Sequence, residues 1–407
     1  MVEISRPVKR NAFLLAAGLV CNSAMFQLAA ALTSLTLVAV TGVKGILGLG
    51  PAIFLLAGAA AVGPAGRLMD RVGRMPVIRG GFALGAIGCG VIAAGCSVDS
   101  APLVILGFAL TGGAGSIALL SRAAAAEMFP PEFRGRGMGL VLFGAASGAI
   151  WGPLVFGPMF ADRSLDADGL VGPWLMGIPF LVVGLAIAFA VRPDPKELAA
   201  AYPVAGADDA HAASLGRILR RPAAIPALVA AVASFAVMAG VMNLAGYVAV
   251  GRGHHEGDVF TMISVHIVGM YGLVLVVGDL IDRIGARRPL VLGLLLMAVS
   301  NVALAWRGGV GDMSLALLGL GLGWNLSYVG ATTELVAITA PSERGRLVGF
   351  VDLCSALTAA CLALLGGLVY TAGGASALGL AAAGIAIAPA LWLAARPAAP
   401  APLAAAE

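Results

Sequence analysis

Long apolar runs, each separated from the next by a short polar segment, recur along the whole of this sequence. A helix that crosses the hydrocarbon core of a bilayer needs about 20 consecutive, predominantly apolar residues. Runs of that kind predict twelve spanning helices, at residues 12–40, 45–64, 76–97, 101–126, 138–161, 171–191, 223–250, 258–278, 289–306, 312–335, 346–371 and 375–395. The pattern therefore predicts an all-α membrane protein.

Polar motifs occur twice, at positions that divide the chain into two similar parts. Gly66-Arg-Leu-Met-Asp-Arg-Val-Gly73 returns 212 residues later as Gly278-Asp-Leu-Ile-Asp-Arg-Ile-Gly285, and Arg134-Gly-Arg returns 210 residues later as Arg344-Gly-Arg. Two motifs with nearly the same offset predict a duplicated six-helix unit, as in transporters built from parallel repeats. We expect an N-terminal half at residues 1–191, a cytoplasmic linker at 192–221, a C-terminal half at 222–395 and a disordered tail at 396–407.

Composition and charge fit a membrane location and argue against two other classes. The chain is 60% hydrophobic and 11% charged, whereas soluble domains carry about 25% charged residues. With both termini in the cytoplasm, 21 of the 25 Lys and Arg residues lie on the cytoplasmic side, which predicts a multi-pass protein of the bacterial inner membrane. No loop combines a basic cluster with stacking aromatics, so nucleic acid is not an expected partner. No nucleophile elbow, phosphate loop or zinc-protease signature occurs, so no enzyme activity is expected.

Methionines and a histidine occupy matched positions in the seventh and eighth predicted helices. Met238-x-x-x-Met242 and His266-x-x-x-Met270 flank a polar tip centred near residue 254. Met242 and His266 are each 12 residues from that centre, and Met238 and Met270 are each 16. Equal distances from a turn mean equal depth in antiparallel helices, and residues four apart share a face. The four side chains are therefore expected in two layers about 6 Å apart.

Three thioethers and one imidazole form a soft ligand set, which suits a cuprous ion better than magnesium, calcium or manganese. The pattern predicts copper as a transported substrate and no resident cofactor. Methionine also fills irregular gaps between helices, and with 14 methionines in the chain this explanation stays open for Met238 and Met242. His266 argues more strongly for a site, because ionisable groups inside spanning helices are costly and usually functional.

The duplicated polar motif resembles the loop signatures of the major facilitator superfamily. Gly66-x-Leu-x-Asp70-Arg71-x-Gly73-Arg74 is similar to the signature between the second and third helices, and residues 278–288 to its counterpart between the eighth and ninth. The resemblance covers essentially the whole chain and implies the major facilitator fold, with twelve helices in two pseudo-symmetric halves and a monomeric state. It also implies a latch that forms in one conformational state, made by Asp70, Arg71, Asp282 and Arg283.

The placement of the methionine and histidine motifs resembles the CcoA-like copper importers of that superfamily. This resemblance implies a copper importer that works by alternating access, with the ion bound by Met238, Met242, His266 and Met270. It implies a periplasmic or cytoplasmic copper carrier as a partner, besides membrane lipid.

A carrier for a small organic solute is the alternative. A related branch of the superfamily resembles riboflavin transporters, and the glycine–proline pattern of residues 148–157 partly resembles that of drug antiporters. In that case the methionines line an apolar cavity, and Tyr247, Asn325 and Tyr328 supply its hydrogen bonds. Asp352, in the eleventh helix, is the clearest carboxylate candidate for coupling in the C-terminal half. The first six helices show no comparable mid-membrane carboxylate, so facilitated entry of copper is also consistent with the sequence.

Overall fold

The computed structural model describes residues 4–130, 133–160, 166–201 and 213–395. The predicted tail at 396–407 and residues 202–212 of the predicted linker lie outside the described residues. Six helices form the first half: α1 (Arg6–Thr41), α2 (Leu49–Val72), α3 (Arg74–Ser97), α4 (Ala101–Leu119 and Ser121–Met128), α5 (Arg134–Ser147, continued to Phe160) and α6 (Ala167–Ala190). Six form the second: α7 (Ala224–Gly251), α8 (Glu256–Tyr271 and Val274–Ile284), α9 (Arg287–Trp306), α10 (Val310–Ala337), and α11 and α12, which together span Pro341–Ala394.

The prediction of an all-α fold with twelve long helices is confirmed for the described chain. Ten of its helices are long and apolar enough to cross a membrane, counting Arg346–Ala394 once. That last run is two helices, because Gly374 has a φ of 68° and a ψ of −163°. A side chain would strain the backbone there, and glycine relieves the strain. Helix α8 completes the twelve, although its two segments are separated at Gly272 and Leu273.

Helix α5 is irregular in its second part. The α-helix gives way to a 3₁₀ turn at Gly148–Ile150 and then to a π-helical stretch at Gly152–Phe156. Pro153 lies in that stretch and lacks an N–H, so the regular ladder cannot continue through it. The small residues of this part of α5 leave space for α8, which packs directly against it.

The two halves repeat one packing scheme. In the first half α2 and α3 pack on α4, and α1 packs on α5; in the second half α8 and α9 pack on α10, and α7 packs on α11. The halves meet mainly through three helix pairs, α1 with α7, α2 with α11 and α5 with α8, with smaller contacts of α1 with α8 and of α2 with α7. We call the end of the molecule with the α7–α8 turn at residues 252–255 the hairpin end, and the end with residues 191–201 and 213–223 the linker end.

At the hairpin end the halves are in close contact. A side chain at Gly48, just before α2, would come within 2.6 Å of the Cα atom of Leu364 in α11. Ser34 of α1 donates a hydrogen bond of 2.9 Å to the carbonyl oxygen of Asn243 in α7. These contacts hold α1 against α7 and the start of α2 against α11 at this end.

Candidate functional site

His266 lies on α8 with no exposed surface, and its ring is turned toward α10. Its Nδ1 atom is 2.7 Å from the carbonyl oxygen of Leu317. A carbonyl oxygen only accepts hydrogen bonds, so Nδ1 carries the proton and donates it to this bond. In a neutral ring the lone pair is then on Nε2, and that atom has no hydrogen-bond partner among the described residues. The structure therefore presents a buried imidazole with a free lone pair.

Met270 follows His266 by one turn, and the backbone of both residues lies against α10. A Cβ atom at Gly321 of α10 would come within 2.9 Å of the backbone nitrogen of Met270. Asn325, one turn further along α10, donates a hydrogen bond of 2.7 Å to the carbonyl oxygen of Met270. The sequence predicts that Asn325 either lines the cavity or bonds to a neighbouring backbone, and in the structure its amide ties α10 to α8.

Met238 and Met242 lie on α7. Met238 is buried in the apolar core that also contains Met270, whereas Met242 is half-buried and packs against that core. Met238 and Met270 lie near the middle of their helices, and Met242 and His266 lie one turn nearer the hairpin end. The two pairs thus have matching depth. Helix α10 packs against both helices more extensively than α7 and α8 pack against each other.

Met262 lies on the same face of α8 as His266 and Met270, one turn nearer the hairpin end than His266. It precedes His266 by four residues and is 1% exposed. The predicted ligand set does not include Met262, although Met262 is four residues from His266, the same spacing that links His266 to Met270.

Four aromatic rings form a cluster beside these residues, toward the linker end. The rings of Trp324 and Tyr328 are stacked, with centroids 5.3 Å apart and an interplanar angle of 17°. Tyr271 packs edge-on against Trp324 at 5.8 Å, and Phe235 of α7 lies 6.0 Å from Tyr328. Nε1 of Trp324 has no hydrogen-bond partner among the described residues. The cluster thus combines flat aromatic faces with one unpaired N–H donor.

A polar chain links this cluster to the opposite half. The Tyr328 hydroxyl donates a hydrogen bond of 2.7 Å to Oδ1 of Asp352. The Oδ2 atom of Asp352 lies 3.9 Å from Nη2 of Arg122 in α4. In the sequence Arg122 counts among the cytoplasmic charges that set topology, but it lies within α4, six residues before the helix ends at Met128. An arginine inside an apolar helix is itself a signal of function.

Tyr247 lies apart from the other predicted cavity residues. It lines a separate pocket of about 620 Å³ at the hairpin end, with Lys44 of the α1–α2 turn and Tyr370 of α11. The rings of Tyr247 and Tyr370 meet edge-on, 5.6 Å apart. The predicted polar cavity is thus divided between the two ends of the molecule.

The residues of the predicted latch lie at the linker end. Asp70 forms a 2.6 Å ion pair with Arg74, which also binds Glu127 of α4 at 2.9 Å. Arg71 and Arg283 are exposed, and the side chain of Asp282 lies outside the described part of the structure. The second half repeats the Arg74–Glu127 pair, because Arg287 lies 3.3 Å from Glu334 of α10. The predicted latch does not include Glu127 and Glu334, which are matched in position in the two halves.

The family model and the similar sequences all indicate the same protein family. The family model of the Major Facilitator Superfamily matches residues 14–337 and, in a second match, residues 261–407. The chain is 30% identical over 319 residues to riboflavin transporter RfnT of Brucella anthropi, covering 76% of each chain. It is 28% identical over 340 residues to the uncharacterized transporter YddS of Bacillus subtilis, covering 81% of this chain and 77% of YddS.

Solved structures share the fold. The inward open xylose transporter XylE from E. coli matches with a TM-score of 0.73 at 15% identity, over 96% of both chains. A D-xylose–proton symporter matches with a TM-score of 0.74 at 16% identity, over 94% of this chain and 96% of the other. With its repeated six-helix halves and these matches, this chain belongs to the Major Facilitator Superfamily of membrane transporters.

Proposed function

We propose that this protein carries copper, as the cuprous ion, across the bacterial inner membrane by alternating access. In this proposal the ion enters the cell, and Met238, Met242, His266 and Met270 bind it on the way. The linker end faces the cytoplasm, as do both termini. The latch residues Asp70, Arg71, Asp282 and Arg283 bind the cytoplasmic ends of neighbouring helices in one of the transport states. A soluble copper carrier delivers or receives the ion.

The observation that carries the proposal is that Nε2 of the buried His266 has no hydrogen-bond partner among the described residues. Leaving a buried polar atom without a partner costs about 1–3 kcal/mol, so the unpaired Nε2 atom requires an explanation. A metal ligand is one, because a histidine that binds metal through one nitrogen almost always donates the other N–H to a carbonyl or carboxylate. The bond from Nδ1 to Leu317 is of that kind.

The neighbouring side chains support a soft ion over a hard one. Met270 is one turn from His266, and Met238 and Met242 match the two residues in depth on α7. Among the described residues no group of three or more His, Cys, Asp or Glu side chains could hold a metal ion. Thioethers are neutral and polarisable, so they bind a cuprous ion without releasing protons.

Uptake of radioactive copper tests the proposal. We would use right-side-out membrane vesicles from cells that lack other copper routes, with copper held in the cuprous state. His266→Ala, Met270→Ala and Met242→Ala should each reduce uptake at least tenfold while the protein remains in the membrane. Met313→Ala is the matched control, since Met313 is a fully buried methionine of α10 outside the predicted ligand set. Wild-type uptake in all three ligand variants would end the proposal.

A second candidate is a small organic solute of flat, aromatic shape. The stacked pair Trp324 and Tyr328, with Tyr271 and Phe235 beside it, favours this function. One relative is named as a riboflavin transporter, at 30% identity. Uptake of labelled riboflavin in the same vesicles separates the candidates. Trp324→Ala should abolish solute uptake in this case, and His266→Ala should leave it intact.

A further inference from the structure

A basic pocket lies at the linker end of the first half, apart from His266 and the methionines of α7 and α8. It has a volume of about 720 Å³ and is formed by the α2–α3 turn, the first two turns of α3 and the chain that follows α6. Its lining includes four cationic and two acidic side chains, namely Arg71, Arg79, Arg192 and Lys196, with Asp194 and Glu197. The pocket therefore carries an excess of positive charge.

The carboxylate of Asp194 is already engaged by backbone donors. Its Oδ1 atom accepts hydrogen bonds from the N–H groups of Arg74 and Lys196, at 3.0 and 2.9 Å, and its Oδ2 atom accepts one from Met75 at 2.8 Å. Asp194 thus caps the N-terminus of α3, where the helix dipole favours a negative charge. Among the described lining residues, Glu197 is then the one exposed acidic side chain.

Two of the arginine side chains have no partner within the described part of the chain. Arg71 and Arg192 are exposed, and neither guanidinium group makes a hydrogen bond or an ion pair there. The backbone of Arg192 is nevertheless held in place, because Arg10 of α1 donates a hydrogen bond to its carbonyl oxygen. Lys196 uses one N–H of its amine on the carbonyl oxygen of Asp70 and keeps two for another acceptor. The pocket thus presents several free donors on a fixed backbone.

Arg79 connects the pocket to the outer surface of the helix bundle. Its Nε atom donates a hydrogen bond of 3.1 Å to the carbonyl oxygen of Ala188, and its guanidinium carbon lies 4.7 Å from the ring centroid of Phe189. Phe189 is 51% exposed, and Val182, on the same face of α6, is 50% exposed. Exposed apolar side chains on a spanning helix face lipid tails. A negative group in the pocket can therefore belong to a molecule whose apolar part lies along α6.

We propose that this pocket binds the phosphate group of an anionic phospholipid from the leaflet at the linker end. Guanidinium groups match phosphate oxygens in geometry as well as in charge, and basic pockets between spanning helices bind anionic head groups in this way. A zwitterionic phospholipid should bind more weakly, because its own cationic group is repelled by the arginines. A soluble phosphate would share the charge contacts but not the contact with Phe189 and Val182. The inference does not depend on which solute the protein carries.

Lipid that stays bound through purification tests the proposal. The full chain would be mixed in mild detergent with equal amounts of phosphatidylglycerol and phosphatidylcholine and passed over a size-exclusion column. Mass spectrometry of the extracted lipid then gives the ratio of the two. The wild type should retain phosphatidylglycerol preferentially. Arg79→Gln and Arg192→Gln should each reduce that preference about fivefold, as expected for one basic side chain at an anionic lipid, and the double variant should lose it.

Three comparisons make the result specific to this pocket. Arg79→Lys keeps the charge but loses the planar group over Phe189, so its preference should lie between those of the wild type and Arg79→Gln. Arg288→Gln is the matched control, because Arg288 is an exposed arginine near the start of α9 at the same end of the second half, and it should behave as the wild type. Inorganic phosphate in excess should not displace the lipid, compared with sodium chloride at equal ionic strength. Thermal unfolding verifies that every variant is folded.

Either of two general results would overturn the proposal: a wild type without preference for phosphatidylglycerol, or an equal loss of preference in Arg288→Gln. Displacement of the lipid by inorganic phosphate would also overturn it, since the pocket would then bind a soluble anion. A full preference in the folded double variant of Arg79 and Arg192 would place the lipid elsewhere on the protein.

Discussion

The Nδ1 atom of His266 lies 2.7 Å from the carbonyl oxygen of Leu317, so the backbone of α10 fixes a side chain of α8. The same stretch of α10 approaches the backbone of α8 closely one turn later, at Gly321. Helix α10 can come this near because position 321 has no side chain. The orientation of the imidazole therefore depends on a residue that would never touch the substrate.

Gly321→Ala should disturb the site without altering any proposed ligand. The new Cβ atom would come within 2.9 Å of the backbone nitrogen of Met270, so α8 must move away from α10. We expect a loss of about 1–3 kcal/mol of stability, as for other overpacked sites, and weaker binding of the cuprous ion. Thermal unfolding and copper titration of the purified protein measure the two effects. Gly311→Ala is the control on the same helix, because no heavy atom lies within 4 Å of its Cβ position. Equal behaviour of the two variants would contradict this explanation.

The fold was predictable from the sequence because lipid imposes a simple rule on it. Every spanning segment must satisfy its own backbone hydrogen bonds, so apolar runs of sufficient length become helices. The interruptions within and between the helices were harder to predict. Gly374 separates α11 from α12 at the gap between two apolar runs. At Gly152–Phe156 the sequence shows Pro153, which interrupts the helical ladder, but it does not show the packing of this π-helical stretch against α8.

The candidate site was predictable only along the helix axes. Spacing from the turn gave the depth of Met238, Met242, His266 and Met270, because helical rise is constant. Which helix each side chain faces depends on lateral packing, which one sequence does not reveal. His266 is bound to α10, and Asn325 is used to tie α10 to α8. Arg122 stands close to the end of an apolar run, where arginine usually marks the membrane boundary, so the sequence alone does not indicate its contact with Asp352.

The matched ion pairs of the two halves should differ in strength. Glu334 is 10% exposed and pairs with Arg287, whereas Glu127 is 38% exposed and pairs with Arg74. Removing a charged partner from a buried pair leaves the other charge unsatisfied. We expect Glu334→Gln to cost about 2–3 kcal/mol, as for a hydrogen bond to a charged group. Glu127→Gln should cost about 1 kcal/mol or less, as for an exposed pair. Thermal unfolding of both variants in one detergent gives the comparison, and a larger effect at Glu127 would refute it.

Glu343 should make stability depend on pH in the acid range. It accepts two hydrogen bonds from Arg221, of 2.7 and 2.9 Å, and these lower its pKa from 4.5 to about 2. A carboxyl whose folded pKa is lowered stabilises the fold fully above its unfolded pKa and loses that effect as the pH falls toward the folded value. The contribution should therefore disappear between pH 4.5 and about 2. Glu343→Gln should be less stable than the wild type at pH 7, and the difference should shrink across that window. A constant difference from pH 7 to pH 2 would rule out this role.

Gly48→Ala should prevent the halves from closing at the hairpin end. The added carbon would come within 2.6 Å of the Cα atom of Leu364, so α2 and α11 cannot keep their present contact. Because backbone atoms cannot move aside as a side chain can, the halves must separate there. We expect transport to be lost while the protein stays in the membrane. A cysteine at Thr371, in the pocket at that end, should become more reactive to an impermeant maleimide added from outside. Gly45→Ala is the control, since it has open space around it. Unchanged labelling in Gly48→Ala would show that this contact does not hold the hairpin end closed.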